Sequence, residues 1–301
     1  MRDFVAARIA RIYPLYLAAL AFAALPTLGR LPWWTGLHVL ALQTWSPALD
    51  VAFGLNGPGW SIGVEFFLYA LFPLLLWAVL RIPRRAWLWV GVGAVILLTL
   101  VTGSLYLART NLLPWADPAS AHRWLYRTPL TRIPDFTVGI VIALIVKNSG
   151  SQRWASAVQW LSAAALVALM SSDRMLFSII SWDIGYLIPS AALIWSLAAA
   201  PHAPLARLLS ARPLVHGGTI SYAFYLFHQP LIHALQASFG GGDGRMGGRR
   251  GHDVVHRAWC RVRRAPRDRG PSAEVAAAAI VNSSGRHHRP APGQGLIRDY
   301  V

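Results

Sequence analysis

The residue most able to do chemistry is a carboxylate inside a long apolar stretch. Glu65 lies in Gly57-Pro58-Gly59-Trp60-Ser61-Ile62-Gly63-Val64-Glu65-Phe66-Phe67-Leu68-Tyr69, and no other charge occurs between Trp60 and Leu80. On a helix Ser61, Glu65 and Tyr69 fall at i, i+4 and i+8, so a hydroxyl, a carboxylate and a phenol share one face. Ionisable groups within membrane helices are costly and mark functional sites by default. Such a row can accept and relay hydrogen bonds from a polar substrate. The plainer reading is that Glu65 pairs with an Arg or His of another helix and fixes the bundle.

Two further stretches carry reactive side chains. Gly217-Gly218-Thr219-Ile220-Ser221-Tyr222-Ala223-Phe224-Tyr225-Leu226-Phe227-His228-Gln229-Pro230 puts Ser221, Tyr225 and His228 at i, i+4 and i+7, with Tyr222 and Gln229 beside them. Histidine exchanges a proton near neutral pH, so His228 is a candidate base, against the alternative of a hydrogen-bonded core histidine. Near the N-terminus, Arg8-Ile9-Ala10-Arg11-Ile12-Tyr13-Pro14-Leu15-Tyr16 places Arg8 and Arg11 at i and i+3. Two guanidinium groups there can clamp phosphates; setting topology or reaching lipid headgroups is the alternative. Asp135 and Asp183 stand near the ends of apolar stretches, and His38 lies in one that prolines interrupt. The segment Arg109–Arg132 offers Trp115, Asp117, His122, Trp124 and Tyr126, either to a sugar or to an aromatic belt. No Cys/His cluster has zinc spacing, and neither a phosphate-binding glycine loop nor a Gly-x-Ser-x-Gly elbow occurs.

The elements that must hold these groups are membrane helices. The chain has 301 residues, is 55% hydrophobic and only 13% charged, and has a mean hydropathy of +0.43. That excludes an ordinary soluble domain, a disordered chain and a disulfide scaffold, Cys260 being the single cysteine. Ile12–Leu28, Trp60–Leu80, Ala86–Ala108, Ile133–Val146, Trp154–Ser172, Met175–Ala200 and Pro213–Ala237 read as spans, Ile133–Val146 being the short one. Leu31–Leu49 is uncharged but broken by Pro32 and Pro47, so it spans, re-enters or lies flat. The expected fold is all-α, a polytopic bundle of about 7–8 spans, multi-pass in the inner or plasma membrane. With a cytoplasmic N-terminus and Leu31–Leu49 not spanning, ten Lys and Arg fall inside and six outside; if it spans, the split is eight and eight. The first arrangement, with seven spans, is preferred for its loops, and it places the Arg-rich tail outside, against the positive-inside rule. No signal-peptide pattern precedes the first span.

The net charge of +16 divides unevenly. Residues 1–237 hold 16 Lys and Arg against 7 Asp and Glu, whereas residues 238–301 hold 12 Arg against 5 acids. The organisation expected is therefore a transmembrane domain over 2–237 and a basic, Gly/Arg/Pro-rich tail over 238–301. That tail reads as a shifted reading frame in GC-rich DNA, as a disordered terminus, or as a basic arm. A nucleic-acid partner is not expected, because the charge of the body mostly marks one side of the bilayer.

Together these stretches resemble the membrane-bound acyltransferase-3 family. The matching pieces are Arg8–Tyr16, Trp60–Tyr69 (Trp-Ser-x-x-x-Glu-x-x-x-Tyr), Ile133–Gly139 (Ile-Pro-Asp-Phe-x-x-Gly) and Gly218–Pro230, in the family's order and across residues 2–237. The resemblance implies an integral-membrane O-acyltransferase, of the class transferring groups other than aminoacyl. It would move an acyl group, acetyl in the usual case, from acyl-CoA to a hydroxyl of a glycan, a lipid-linked sugar or a small molecule. Acyl-CoA is then a donor substrate, and no bound cofactor or metal is expected. By resemblance Arg8 and Arg11 face the CoA phosphates and Glu65 helps hold donor or acceptor in a membrane-centred cavity. Glu65 and His228 are the candidate catalytic residues. Trp60, Ser61, Tyr69, Ser221, Tyr222 and Tyr225 form the candidate substrate-binding set. Family members carry two earlier helices, the first bearing the His regarded as the base; this chain starts at the basic pair that follows them, and His228 belongs to a different motif. The expectation is that the 301-residue chain shows no acetyl transfer, and that a version with the upstream helices does. A permease passing a polar metabolite along Glu65 and His228, or a non-catalytic membrane subunit, is the alternative; no internal repeat of the kind transporters show is found.

Overall fold

The computed structural model describes residues 2–27, 29–148, 154–176 and 178–239, and all regular structure among them is helical. The readings of the basic tail beyond Phe239 lie outside the described residues. The helices are α1 (Arg2–Ala24), α2 (Thr35–Val39), α3 (Leu49–Ala52), α4 (Trp60–Leu80), α5 (Trp87–Leu107), α6 (Ile133–Asn148), α7 (Ala155–Met170), α8 (Asp173–Leu176), α9 (Ile184–Ala199), α10 (Pro204–Leu209) and α11 (Arg212–Phe239).

A long helix stands wherever the sequence shows a sustained apolar stretch, but not all of them reach the same length. Four are long and apolar enough to cross a bilayer: Ala6–Thr27, Gly57–Leu80, Arg84–Leu107 and Pro129–Asn148. At 1.5 Å per residue, the 16 residues of α7 and of α9 cover about 24 Å, short of a hydrocarbon core of about 30 Å. The stretch Met175–Ala200 is not one helix. It divides into α8, a 3-10 turn at Ile179–Trp182, and α9, with the break at Asp183 (φ −160°, ψ −85°). Asp183 leaves the helical path because its carboxylate is tied to Arg132 at 2.9 Å. α11 is long at 28 residues, but its histidines and hydroxyls keep it outside the four.

Leu31–Leu49 forms no spanning helix. It folds as α2, a 3-10 turn at Gln43–Trp45 and the start of α3, with Ala41 in the left-handed region at φ 55°. Broken backbone within an apolar bundle needs partners for its carbonyls. Tyr13 and Tyr16 of α1 supply them, their hydroxyls donating to the Val39 and His38 carbonyls at 2.5 Å each. Phenols one helical turn apart on α1 thus hold this segment inside the fold.

Packing follows from these anchors. α1 lies against α4 and α11, α5 against α6, and α9 against both α6 and α7. Ile12, Tyr16, Ala19, Leu20, Ala41, Ile62 and Leu226 form one buried core, joining α1, α4, α11 and the broken segment. Val79, Trp87, Ile140 and Val141 form a second, between α4, α5 and α6. Outward-facing surface stays apolar, with Trp33 85% and Leu107 80% exposed, which suits a lipid solvent.

Candidate active site

The entry of α4 sets the site. Pro58 sits in the 3-10 turn Gly57–Gly59 that leads straight into the helix, where its fixed φ suits a first turn. Gly57 and Gly63 allow the close approaches on either side. A Cβ on Gly57 would collide with Gln229 Oε1 of α11, and one on Gly63 would stand 2.6 Å from the Ala41 carbonyl oxygen. α4 is therefore clasped between α11 and the broken segment, and its polar face turns toward α1 and α11.

Glu65 is half-buried on that face. The Tyr69 hydroxyl donates to its Oε2 at 3.2 Å, one turn along. Arg8 of α1 lies over the Tyr69 ring, its Cζ 5.6 Å from the centroid and 5.4 Å from that of Phe4, and it interacts electrostatically with Glu65. Tyr222 adds a second phenol near Glu65 and Tyr69, while its hydroxyl donates to the Ile12 carbonyl at 3.0 Å. Ser61 and Tyr225 both donate to the Pro58 carbonyl, at 3.2 and 3.1 Å, and their hydroxyls interact with one another. Trp60 closes the row, its ring 4.6 Å from Tyr126.

Arg8, Trp60, Ser61, Glu65, Tyr69, Tyr222 and Tyr225 are thus brought together from three helices. The others stand differently. Arg11 is exposed, unlike half-buried Arg8, although it still interacts electrostatically with Tyr69. Ser221 is exposed and its hydroxyl turns back to the Gly218 carbonyl at 2.7 Å. The face of α11 that meets α1 and α4 runs along Tyr222, Leu226 and Gln229 instead. His228 sits beside it, stacked at 6.0 Å on Phe224 and pairing its Nδ1 with the Tyr225 carbonyl at 2.7 Å. A ring nitrogen facing a carbonyl must carry the proton, which leaves Nε2 as the acceptor of the neutral ring. Neither a hydrogen bond nor a ring contact joins His228 to Glu65.

Spacing does not single out Gln43 or Asn56, and Tyr16 enters only as the end of the Arg8–Tyr16 stretch. Gln43 donates to the Gly59 carbonyl at 2.7 Å and to the Tyr16 hydroxyl at 3.2 Å; Asn56 donates to the Leu226 carbonyl at 3.1 Å. All three are buried, and the available signal was an amide within an otherwise uncharged stretch. His38, fully buried, pairs Nε2 with the Val51 carbonyl at 2.8 Å; burial lowers its pKa, so the ring is neutral and Nδ1 is an acceptor. Gln43 Oε1, Asn56 Oδ1 and His38 Nδ1 are buried acceptors that no donor among the described residues reaches.

An outer layer joins the site through Trp60. Trp115 stacks on His122 at 4.6 Å, and His122 on Tyr126 at 5.0 Å. Burial raises the Tyr126 pKa, so the phenol stays protonated. Arg127 is fully buried and donates to the Ser46 and Pro47 carbonyls at 2.6 and 2.7 Å. Its desolvation, with Arg123 nearby, lowers its pKa to about 10. Arg132 bridges Asp135 at 3.3 Å and Asp183 at 2.9 Å. Among the described residues no group of three His, Cys, Asp or Glu could hold a metal ion.

This constellation offers a carboxylate, a phenol and a guanidinium in apolar surroundings, which suits proton transfer from a hydroxyl and pairing with an anion. Comparison with known proteins bears on which chemistry that is. Residues 1–247 match the family model described as Acyltransferase domain. A curated relative, "Acyltransferase MdmB" of Streptomyces mycarofaciens, is 34% identical over 247 residues, covering 78% of this chain. The chain spans 62% of that relative's length. No solved structure matches.

Proposed function

The chain belongs to the acyltransferase family whose model covers most of it, and from that premise we propose that it forms the membrane-embedded body of an O-acyltransferase. The donor is acyl-CoA, acetyl-CoA in the usual case. The acceptor is a hydroxyl on a glycan, a lipid-linked sugar or a small molecule. The chain resides in the inner or plasma membrane with its basic loops on the cytoplasmic side. The observation that supports this best is the Arg8–Tyr69–Glu65 cluster, which sets a cation, a phenol and a carboxylate side by side at the junction of α1, α4 and α11.

In the reaction the acceptor oxygen attacks the thioester carbonyl, its proton passes to a base, and the thiolate leaves with a proton returned to it. Arg8, with Arg11 nearer the surface, meets the donor's phosphates. Glu65 receives or orients the acceptor proton, and Tyr69 holds the carboxylate in place. His228 Nε2 is the other basic atom near the row. Trp60, Ser61, Tyr222 and Tyr225 shape the floor against which the acceptor lies, and Tyr126 extends that floor.

The test separates binding from transfer. Acetyl-CoA binding is measured on membranes carrying the 301-residue chain; transfer is measured with and without the upstream coding region. Arg8→Ala should weaken binding at least tenfold. Glu65→Gln should leave binding intact and lower transfer by about 10²–10⁴, the usual contribution of a positioned acid–base group. Transfer that survives Glu65→Gln but not His228→Ala moves the base to α11. Binding unchanged by Arg8→Ala removes the cation from its role.

A further inference from the structure

A groove of about 780 Å³ lies between α5, α6 and α9, and no described residue of α1, α4 or α11 lines it. Gly91, Ala191 and Ala192 are the small residues of its lining, set among larger aliphatic neighbours. Along most of its length the wall is Val, Ile and Leu. Polar atoms collect at one end only, where Arg84 precedes α5 and Asn148 closes α6. Trp87, Trp154 and Trp195 stand at that same end, Trp154 stacked on Trp195 at 4.6 Å. An apolar trough that ends in an arginine and an aromatic cluster has the polarity of an amphiphile: tail in the bilayer, head at its surface.

Charge narrows the head group. Arg84 is exposed, and the ion pairs among the described residues are both made by Arg132. Arg81, Arg85 and Lys147 lie at the same end, while Asp117, Asp135, Asp173 and Asp183 all lie in or beside the connections at the opposite end. No carboxylate on these elements competes for the guanidinium. Basic pockets between membrane helices are suited to anionic lipid head groups, and guanidinium matches phosphate with paired hydrogen bonds.

We propose that this groove binds one anionic phospholipid of the bilayer, its acyl chain along Gly91, Ala191 and Ala192 and its phosphate on Arg84. The site is independent of the acyl-transfer reading. It ties α5, α6 and α9 together at a place where protein side chains leave the seam unfilled. A lipid bound there stabilises the three-helix unit in proportion to its occupancy.

Thermal unfolding of the full chain in mixed micelles, with phosphatidylglycerol or phosphatidylcholine added, tests this, together with native mass spectrometry of the bound lipid. Phosphatidylglycerol should bind at least tenfold more tightly than phosphatidylcholine, and saturation should raise the unfolding midpoint by roughly 5 °C or more. Arg84→Gln should abolish the preference, Arg85→Gln should keep it, and Ala192→Phe should weaken binding of both lipids by filling the trough. Equal binding of the two lipids by the unaltered chain overturns the proposal. Equal losses from Arg84→Gln and Arg85→Gln do so too, since they would reduce the effect to general surface charge. A dimer that Ala192→Phe dissociates would identify the occupant as a second copy and likewise overturn it.

Discussion

Removing the carboxyl of Asp183 should change how stability depends on pH. Asp183 is buried at the break before α9, and its pKa is lifted to about 8, chiefly by burial, with Asp135 adding to the rise and Arg132 opposing it. Asp183 Oδ2 and Asp135 Oδ1 receive no donor from the other described residues, although the two carboxyls interact directly. One proton between them supplies the missing donor, and the shared Arg132 then faces a single negative charge. A carboxyl that binds its proton more tightly in the fold stabilises the fold fully below about pH 4, and that stabilisation is lost as the pH rises through 8. A shift from 3.8 to about 8 sets a ceiling of about 6 kcal/mol at about 1.4 kcal/mol per unit. Arg132 at 2.9 Å remains to compensate the ionised form, so a third of that, about 2 kcal/mol, is the expected loss, or roughly 4–8 °C. Unfolding midpoints of the unaltered chain and of Asp183→Asn, measured in detergent from pH 4.5 to 8.5, provide the comparison. The unaltered chain should lose stability relative to the variant as the pH rises. Parallel curves, or an unaltered chain that gains on the variant toward pH 8.5, would show that no proton is shared there.

Two further outcomes follow from contacts. Gly63→Ala should destabilise by about 1–3 kcal/mol, because the new Cβ would press on the Ala41 carbonyl and the Thr44 methyl at 2.6 and 2.7 Å; a helix-propensity gain in the unfolding midpoint instead would mean the broken segment is not packed on α4. In the version that carries the upstream coding region, Ser221→Ala should leave acetyl transfer within about twofold, its hydroxyl being turned onto its own helix, whereas Tyr225→Phe should lower transfer several-fold by freeing the Pro58 carbonyl. Equal effects of the two substitutions, measured in the same membranes, would refute that division of α11.

Much of this arrangement is legible in the sequence, and what is not has identifiable causes. Apolar stretches locate all seven long helices because lipid-facing surface demands them regardless of detail. Helix ends are less legible. Met175–Ala200 reads as one span, yet Asp183 breaks it for a partner, Arg132, 51 positions earlier. Leu31–Leu49 reads as spanning, re-entering or lying flat for the same reason, since its path is decided by phenols on α1 and not by its own prolines alone. In the site, i, i+4 spacing correctly joins Glu65 to Tyr69, an interaction confined to one helix. Spacing on α11 does not reveal that its inward seam passes through Tyr222 and Leu226, because that choice depends on where Ile12 and Asn56 present their partners.

The tyrosines show how the polar groups divide between support and chemistry. Tyr13, Tyr16, Tyr222 and Tyr225 each donate their hydroxyl hydrogen to a backbone carbonyl: Val39, His38, Ile12 and Pro58. A phenol so committed can still accept, as Tyr16 does from Gln43, but it has no proton to offer a substrate. Tyr69 differs from these four in giving its proton to a side chain, the Glu65 carboxylate. That bond fixes one carboxylate oxygen and leaves the second to meet an incoming donor. An acceptor hydroxyl is a donor of that kind. The Arg8 guanidinium lies over the same ring, its Cζ 5.6 Å from the centroid. Four phenols therefore hold the backbone in place, and under the proposed reaction Glu65, Tyr69 and Arg8 are the groups left to meet a substrate.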